Sequence, residues 1–170
     1  MQRSRLGIQM AMALTLVFAS FAASPSVAGA ATTRGEFVTL SAGQDMGFDV
    51  SGVASLTRTR HGTVARAVVK GLDPGVTYAA HVHSQACSDN MAGGHYKNDP
   101  GGPSTPPNEL WLSSSDDPMG GLVANDVGVA RGRGRAPWVA RADAVSIVIH
   151  FIPPGGSTAG GPKIACADLG

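Results

Sequence analysis

The sequence predicts an all-β domain, and three observations carry that prediction. Short runs rich in Val, Ile, Thr and Ala alternate with clusters of Gly, Pro, Asn and Asp, and no stretch keeps a helical period. Turn signals such as Asp73-Pro74-Gly75 and Asn125-Asp126 stand between the runs, where hairpins close. Residues 31–170 are also one domain's worth of chain, enough for a single core.

The elements follow in order. Residues 1–30 read as a secretory signal peptide, with Arg3 and Arg5 before an apolar stretch from Leu6 to Ala23. The small residues Ala28-Gly29-Ala30 then supply a cleavage site after Ala30. No later segment is apolar enough to cross a membrane, so the mature domain, 31–170, is expected to be secreted or held in the periplasm or cell envelope. Strands are expected over 36–40, 52–59, 63–70, 77–83, 121–124, 127–131, 138–140 and 144–150. Residues 84–120 are rich in Gly, Pro, Ser and Asp and too long for an ordinary connection. Such loops usually carry function or stay disordered.

Charge narrows the partners. Removing Arg3 and Arg5 from the 13 Lys and Arg leaves 11 against 12 Asp and Glu, a formal charge of −1 for the mature domain. That balance argues against nucleic acid, and the one basic cluster, Arg131-Gly132-Arg133-Gly134-Arg135, reads as a solvated loop. The chain has two cysteines, Cys87 and Cys166, which in an exported protein predict one disulfide. It would tie the start of the long loop to the C-terminal strand.

Four of the five histidines lie where one ion could gather them. His81 and His83 are two apart in an apolar run, and such side chains share a strand face. His95 follows the Gly-rich turn Met91-Ala92-Gly93-Gly94, and His150 ends the run Ser146-Ile147-Val148-Ile149. Imidazole nitrogens favour copper over zinc in raw affinity. His61, in Thr59-Arg60-His61-Gly62, reads as a turn residue without a role.

Several segments together resemble the secreted copper/zinc superoxide dismutases. They are Val69-Lys70-Gly71-Leu72-Asp73-Pro74-Gly75, His81-Val82-His83, Gly94-His95-Tyr96, Val148-Ile149-His150 and Gly161-Pro162-Lys163-Ile164-Ala165-Cys166. Their order and rough spacing match the family over about residues 52–170. The resemblance implies an eight-stranded Greek-key β-barrel, copper held by His81, His83, His95 and His150, and a Cys87–Cys166 disulfide. It also implies superoxide as substrate, with the copper cycling between Cu(II) and Cu(I) and His95 as proton shuttle.

Three departures refine this expectation. Family members carry two further histidines and an aspartate for zinc after the residue matched by His95, but this chain has no histidine between His95 and His150. The remaining carboxylates, Asp99, Glu109, Asp116, Asp117 and Asp126, make a poor zinc set. One copper and no zinc are therefore expected, as in the copper-only branch of the family. Glu109, in Asn108-Glu109-Leu110-Trp111, is the expected partner for the far nitrogen of His95. The loop after His150 is short, and Lys163 stands where the family has its active-site arginine. Lys163 would attract the anion as a point charge, without arginine's planar fork.

A second reading keeps the same ligands: an exported copper-binding or buffering protein on a dismutase scaffold, without significant turnover. A zinc hydrolase built on the His-x-His pair fits the cysteine register less well, and a barrel that has lost its metal does not fit the intact ligand set. Oligomeric state is not legible from the chain.

Overall fold

The computed structural model describes residues 29–88 and 92–170. The predicted signal peptide therefore lies almost wholly outside the described residues. Eight strands form one antiparallel sheet: β1 (Ala31–Thr39), β2 (Ser51–Thr59), β3 (Gly62–Lys70), β4 (Thr77–His83), β5 (Leu122–Val123), β6 (Ala130–Ala136), β7 (Ser146–Phe151) and β8 (Lys163–Asp168). Their order across the sheet is β5-β4-β7-β8-β1-β2-β3-β6, a Greek-key arrangement rather than a meander. A five-residue helix, α1 (Ser41–Asp45), turns the chain between β1 and β2.

Part of the long loop closes the barrel. Leu112 donates its amide to Ala80 on β4 (2.8 Å), and Leu110 accepts from Val82 (3.0 Å). One residue on, Ser113 exchanges both backbone bonds with Arg133 on β6 (3.1 and 2.9 Å). The segment 110–113 thus laces β4 to β6 across the gap between the sheet's two ends. Pairing those edges removes most of the exposed hydrogen-bonding template that an open sheet presents.

Alternation decides what lies inside. Tyr78, Ala80 and Val82 on β4 and Ile147 and Ile149 on β7 point into the core with Leu56, Val69, Leu110, Leu112 and Leu122, all of them buried. The opposite face of β4 and β7 carries Ala79, His81, His83, Val148 and His150, in a register that sets Ala79 across from His150 and His81 across from Val148. Because strand residues two apart share a face, three of the four histidines leave the barrel on one side.

The disulfide joins Cys87 to Cys166, with Cα atoms 5.7 Å apart. It pins the entrance of the long loop to β8, helped by the Cys87 amide on Asp168 Oδ1 (2.7 Å) and the Ser146 hydroxyl on the Gln85 carbonyl (2.7 Å).

Two expectations need correction. The cluster 131–135 is no loop: it is the middle of β6, with the three arginines outward and the glycines inward. A Cβ on Gly134 would stand 2.2 Å from the Trp111 carbonyl, and one on Gly132 would stand 2.0 Å from Leu122 Cδ2. The glycines are there because the lacing segment and the core press against that face. Low strand propensity and high charge hid most of the strand from sequence reading, and the strand expected over 127–131 overlaps β6 only at Ala130 and Arg131. Residues 138–140 form no strand either; Thr63 holds that turn through bonds to the Trp138 carbonyl (2.8 Å) and the Ala140 amide (2.7 Å).

Candidate metal centre

His81 and His83 come from β4 and His150 from the end of β7, where a register shift between Ile149 and His150 ends regular pairing with β8. His95 arrives from the loop, its backbone paired beside His83, and Tyr96 donates to the Val82 carbonyl (2.8 Å). One ring nitrogen from each histidine lies within 4.8 Å of every other. His81, His83 and His150 are buried, and His95 is partly exposed.

Hydrogen bonds set the tautomer of every ring. A carbonyl only accepts, so the ring nitrogen facing one carries the proton. His81 Nε2 donates to the Thr158 carbonyl (2.7 Å), and His150 Nδ1 donates to that of Gly161 (3.0 Å). His83 Nδ1 shares the carbonyls of Ala92 and Gly93 (3.2 and 3.3 Å). His95 Nδ1 donates to Glu109 Oε2 (2.7 Å). The lone pairs left over are on His81 Nδ1 and on Nε2 of His83, His95 and His150.

These lone pairs test whether a metal fits. His81 Nδ1 is buried with no hydrogen-bond partner, a costly state for a polar atom. His83 Nε2 and His150 Nε2 face each other at 3.2 Å, although both rings already spend their proton on a carbonyl. Nitrogen ligands sit about 2 Å from a first-row metal, so opposite donors are about 4 Å apart. A set spread over 4.8 Å needs to contract by only about an ångström. Four neutral imidazoles suit copper, and the residues present fit it.

Electrostatics keep the three buried rings neutral. Burial above all, then the neighbouring histidines, push His81 far below the ordinary imidazole range. Burial first, followed by His150, His95 and Lys163, takes His83 down to about 3. His150 falls to about 4, again chiefly by burial, with the Gly161 carbonyl opposing and His95 and Lys163 assisting. Neutral imidazole is the form that binds metal.

Glu109 sits where the far side of His95 needs a partner. It is buried, and Oε2 accepts from both His95 and the Trp111 indole N–H (2.7 Å). Burial is the largest influence on this carboxyl and alone would raise its pKa. The bonds from His95 and Trp111 and the charges of His95 and Lys97 outweigh it, so the net shift is downward and the group is ionised. Trp111 also packs its ring 4.7 Å from that of His81.

Lys163 opens β8 beside the cluster, partly buried, with Nζ donating to the Gly93 carbonyl (2.5 Å). Burial lowers its pKa. The other carboxylates named from sequence lie apart: Asp99 accepts from the Gly101 amide (3.0 Å) and Asp117 from that of Met119 (2.9 Å), both in turns. Asp116 and Asp126 are exposed. His61 is an exposed turn residue bonded to Arg60 (2.7 Å).

Sequence reading missed the carbonyls of Ala92, Gly93, Thr158 and Gly161, since any residue brings a carbonyl. The two glycines carried a signal: Gly93 has φ +58°, and Gly161 is as constrained. Its φ is +148°, and a Cβ there would meet the Phe151 carbonyl at 2.0 Å.

No protein-family model matches the chain, and no curated protein sequence does. Solved structures do. The chain is similar to the Cu/Zn superoxide dismutase from Brucella abortus, with a TM-score of 0.54 and 20% identity over 82% of this chain and 100% of that one. It is also similar to a mutant of a superoxide dismutase-like protein from Bacillus subtilis, with a TM-score of 0.51 and 18% identity over 80% of this chain and 96% of that one. The shared property is the superoxide dismutase fold.

Proposed function

We propose that this chain is an exported copper-dependent superoxide dismutase of the copper-only type, with one copper per domain and no zinc. The observation that carries this reading is the convergence of four imidazole nitrogens whose opposite ring atoms are each committed to a fixed acceptor. Such a donor set is preorganised for one metal and costly without it. Bound copper would supply a centre that accepts and returns one electron, so that two superoxide anions and two protons become dioxygen and hydrogen peroxide.

The chain's own residues supply the rest. His95 is the only partly exposed ligand, and its Nε2 is where a proton would be held and delivered, with Nδ1 kept in place by Glu109. Trp111 shields Glu109 and fixes which oxygen receives His95. Lys163 presents a cation beside the cluster for an anionic substrate. The leader over 1–30 and the disulfide support a place outside the cytoplasm, since disulfides persist in oxidising compartments.

A reading as a copper-binding protein without turnover is favoured by the tether of Lys163 to Gly93, which holds the cation back as a structural strut. Metal analysis of exported protein, combined with a superoxide assay, separates the two. About one copper and negligible zinc, with activity far above that of free copper ion, supports the dismutase. Stoichiometric zinc sinks the copper-only assignment, and tightly held copper without turnover leaves the buffer.

A further inference from the structure

The outer face of β1-β2-β3-β6 concentrates positive charge that the metal centre does not use. Register places Arg34 across from Ser55, Ser55 across from Arg66, and Arg66 across from Arg133, in one row over four strands. Arg131 and Arg135 flank Arg133 on the same side of β6, and all five arginines are exposed. Alternate strand residues are about 6.6 Å apart, so the three arginines of β6 form a line about 13 Å long. Glu36 is the acidic residue on this face, and among the described residues none of these arginines is in a salt bridge.

The arrangement costs stability. Like charges directly opposite on neighbouring strands are destabilising, and Arg66 and Arg133 are such a pair. The mature domain carries a net charge of about −1, so this crowding is local rather than a reflection of composition. The Arg133 guanidinium is pushed below its ordinary pKa by partial desolvation and by the repulsion of Arg135 and Arg66. An anionic ligand would offset the repulsion.

The shape of the face narrows the ligand. Arg34 and Arg66 line a trough of about 470 Å³ together with Val53, Ser55 and Val68, and Glu36 adds one carboxylate to the wall that Arg34 forms. Val53 remains 53% exposed. An apolar floor between walls with two arginines against one glutamate suits a sugar ring, whose C–H face packs on valine while its acidic substituents meet forked guanidinium donors. A planar headgroup layer would rest on the arginines and leave the valines of the trough uncovered. The outward positions of these four strands hold no aromatic side chain on which nucleobases would stack.

We propose that the β1-β2-β3-β6 face is a docking surface for an acidic polysaccharide bearing carboxylate or sulfate groups. The sugar chain lies in the trough between Arg34 and Arg66 and continues along the arginine line of β6. The histidine cluster, on β4 and β7, is left uncovered.

The test is binding of the mature protein to dextran sulfate and polygalacturonate, measured by calorimetry at low and near-physiological salt. Phosphatidylglycerol vesicles and single-stranded DNA serve as competing anions. Arg66→Glu is compared with Arg60→Glu, which makes the same charge change in the β2–β3 turn. Arg66→Glu is expected to weaken polysaccharide binding by about tenfold or more, and Arg60→Glu by less than about twofold. Because Arg66 is exposed, Arg66→Ala provides a second variant if the glutamate disturbs folding; it should also weaken binding several-fold. Equal losses in the two charge variants mean attraction by net charge alone and overturn the proposal. Tighter binding of vesicles or single-stranded DNA than of either polysaccharide overturns it as well.

Discussion

The outer faces of the two halves of the barrel follow the same strand alternation and end in opposite conditions. On β4 and β7 the outward residues are imidazoles, roofed by the loops after β4 and β7, and each ring keeps one nitrogen on a fixed acceptor. On β3 and β6 the outward face carries the guanidiniums of Arg66, Arg131, Arg133 and Arg135, open to water and, among the described residues, in no salt bridge. The difference teaches that outward on a strand decides nothing about polarity until it is known what covers the face. A covered face demands a partner for every polar atom. An open face tolerates even a cross-strand pair of like charges because water screens them.

The largest effect expected from breaking this contrast is removal of the cover's anchor. Cys87→Ser or Cys166→Ser should cost about 4 kcal/mol on the chain-entropy account for a separation of 79 residues. Copper affinity should fall with it, because the Ala92 and Gly93 carbonyls that orient His83 hang on that anchor. Denaturant unfolding and competitive copper titration measure both, and unchanged stability would show that the loop is held by other contacts.

The next contrast lies within one strand. Gly134→Ala drives a methyl toward the Trp111 carbonyl, 2.2 Å from the ideal Cβ position, and overpacking of that kind costs about 1–3 kcal/mol. Arg133→Ala, one residue away on the outward side, should leave stability unchanged or slightly raised. Thermal unfolding of the two variants compares inside with outside directly.

At the covered face, Glu109→Ala should lower copper affinity by about 10–100-fold, the usual penalty for losing a group that orients a ligand. Glu109→Gln should retain part of that affinity by keeping an acceptor. Matching affinities in the two variants and the unaltered protein would remove Glu109 from the site. Lys163→Arg should hold turnover, and Lys163→Met should lower it several-fold while copper stays bound. If both lose copper instead, the lysine is a strut for the Gly93 carbonyl.

The mildest effect concerns acid. His83 and His150 fall to about 3 and about 4 in the fold, against about 6.5 in the unfolded chain. Between these limits the unfolded chain binds protons that the folded metal-free protein refuses. Folded stability of the metal-free protein therefore declines as pH drops from about 6.5 toward about 3, and these two groups add no further loss below that. Urea unfolding of metal-free protein across that range checks the sign. The arginines of the open face stay charged across that range, so substituting them should leave the decline due to His83 and His150 in place.

Much of this was legible in the chain. The β class followed from runs and turns, and the cysteine pairing followed from there being only two cysteines. The four histidines read from sequence as one set do lie together. Strand edges drifted where propensity conflicts with packing. β8 was recognised through Cys166 rather than through its pattern, and β6 was displaced: the strand expected over 127–131 meets it only at Ala130 and Arg131, because the glycines and charges that follow make a poor strand signal. The closing role of 110–113 left no trace in local composition, since it depends on pairing with β4 and β6 at once. Glu109 was found through its aromatic neighbour Trp111, whereas the Thr158 carbonyl was invisible, because backbone acceptors carry no letter.

The lacing segment has a consequence for how the protein breathes. The residues that shut the barrel, Leu110 and Leu112, bracket Trp111 and follow Glu109 directly. Any opening wide enough to detach the segment from β4 would unseat the carboxylate from His95 in the same movement. The Leu112 and Val82 amides, whose hydrogen bonds cross that seam, therefore act as a gauge of the centre. Their exchange with deuterium should slow together when copper is loaded, while amides joining β2 to β3 on the far wall keep their rates.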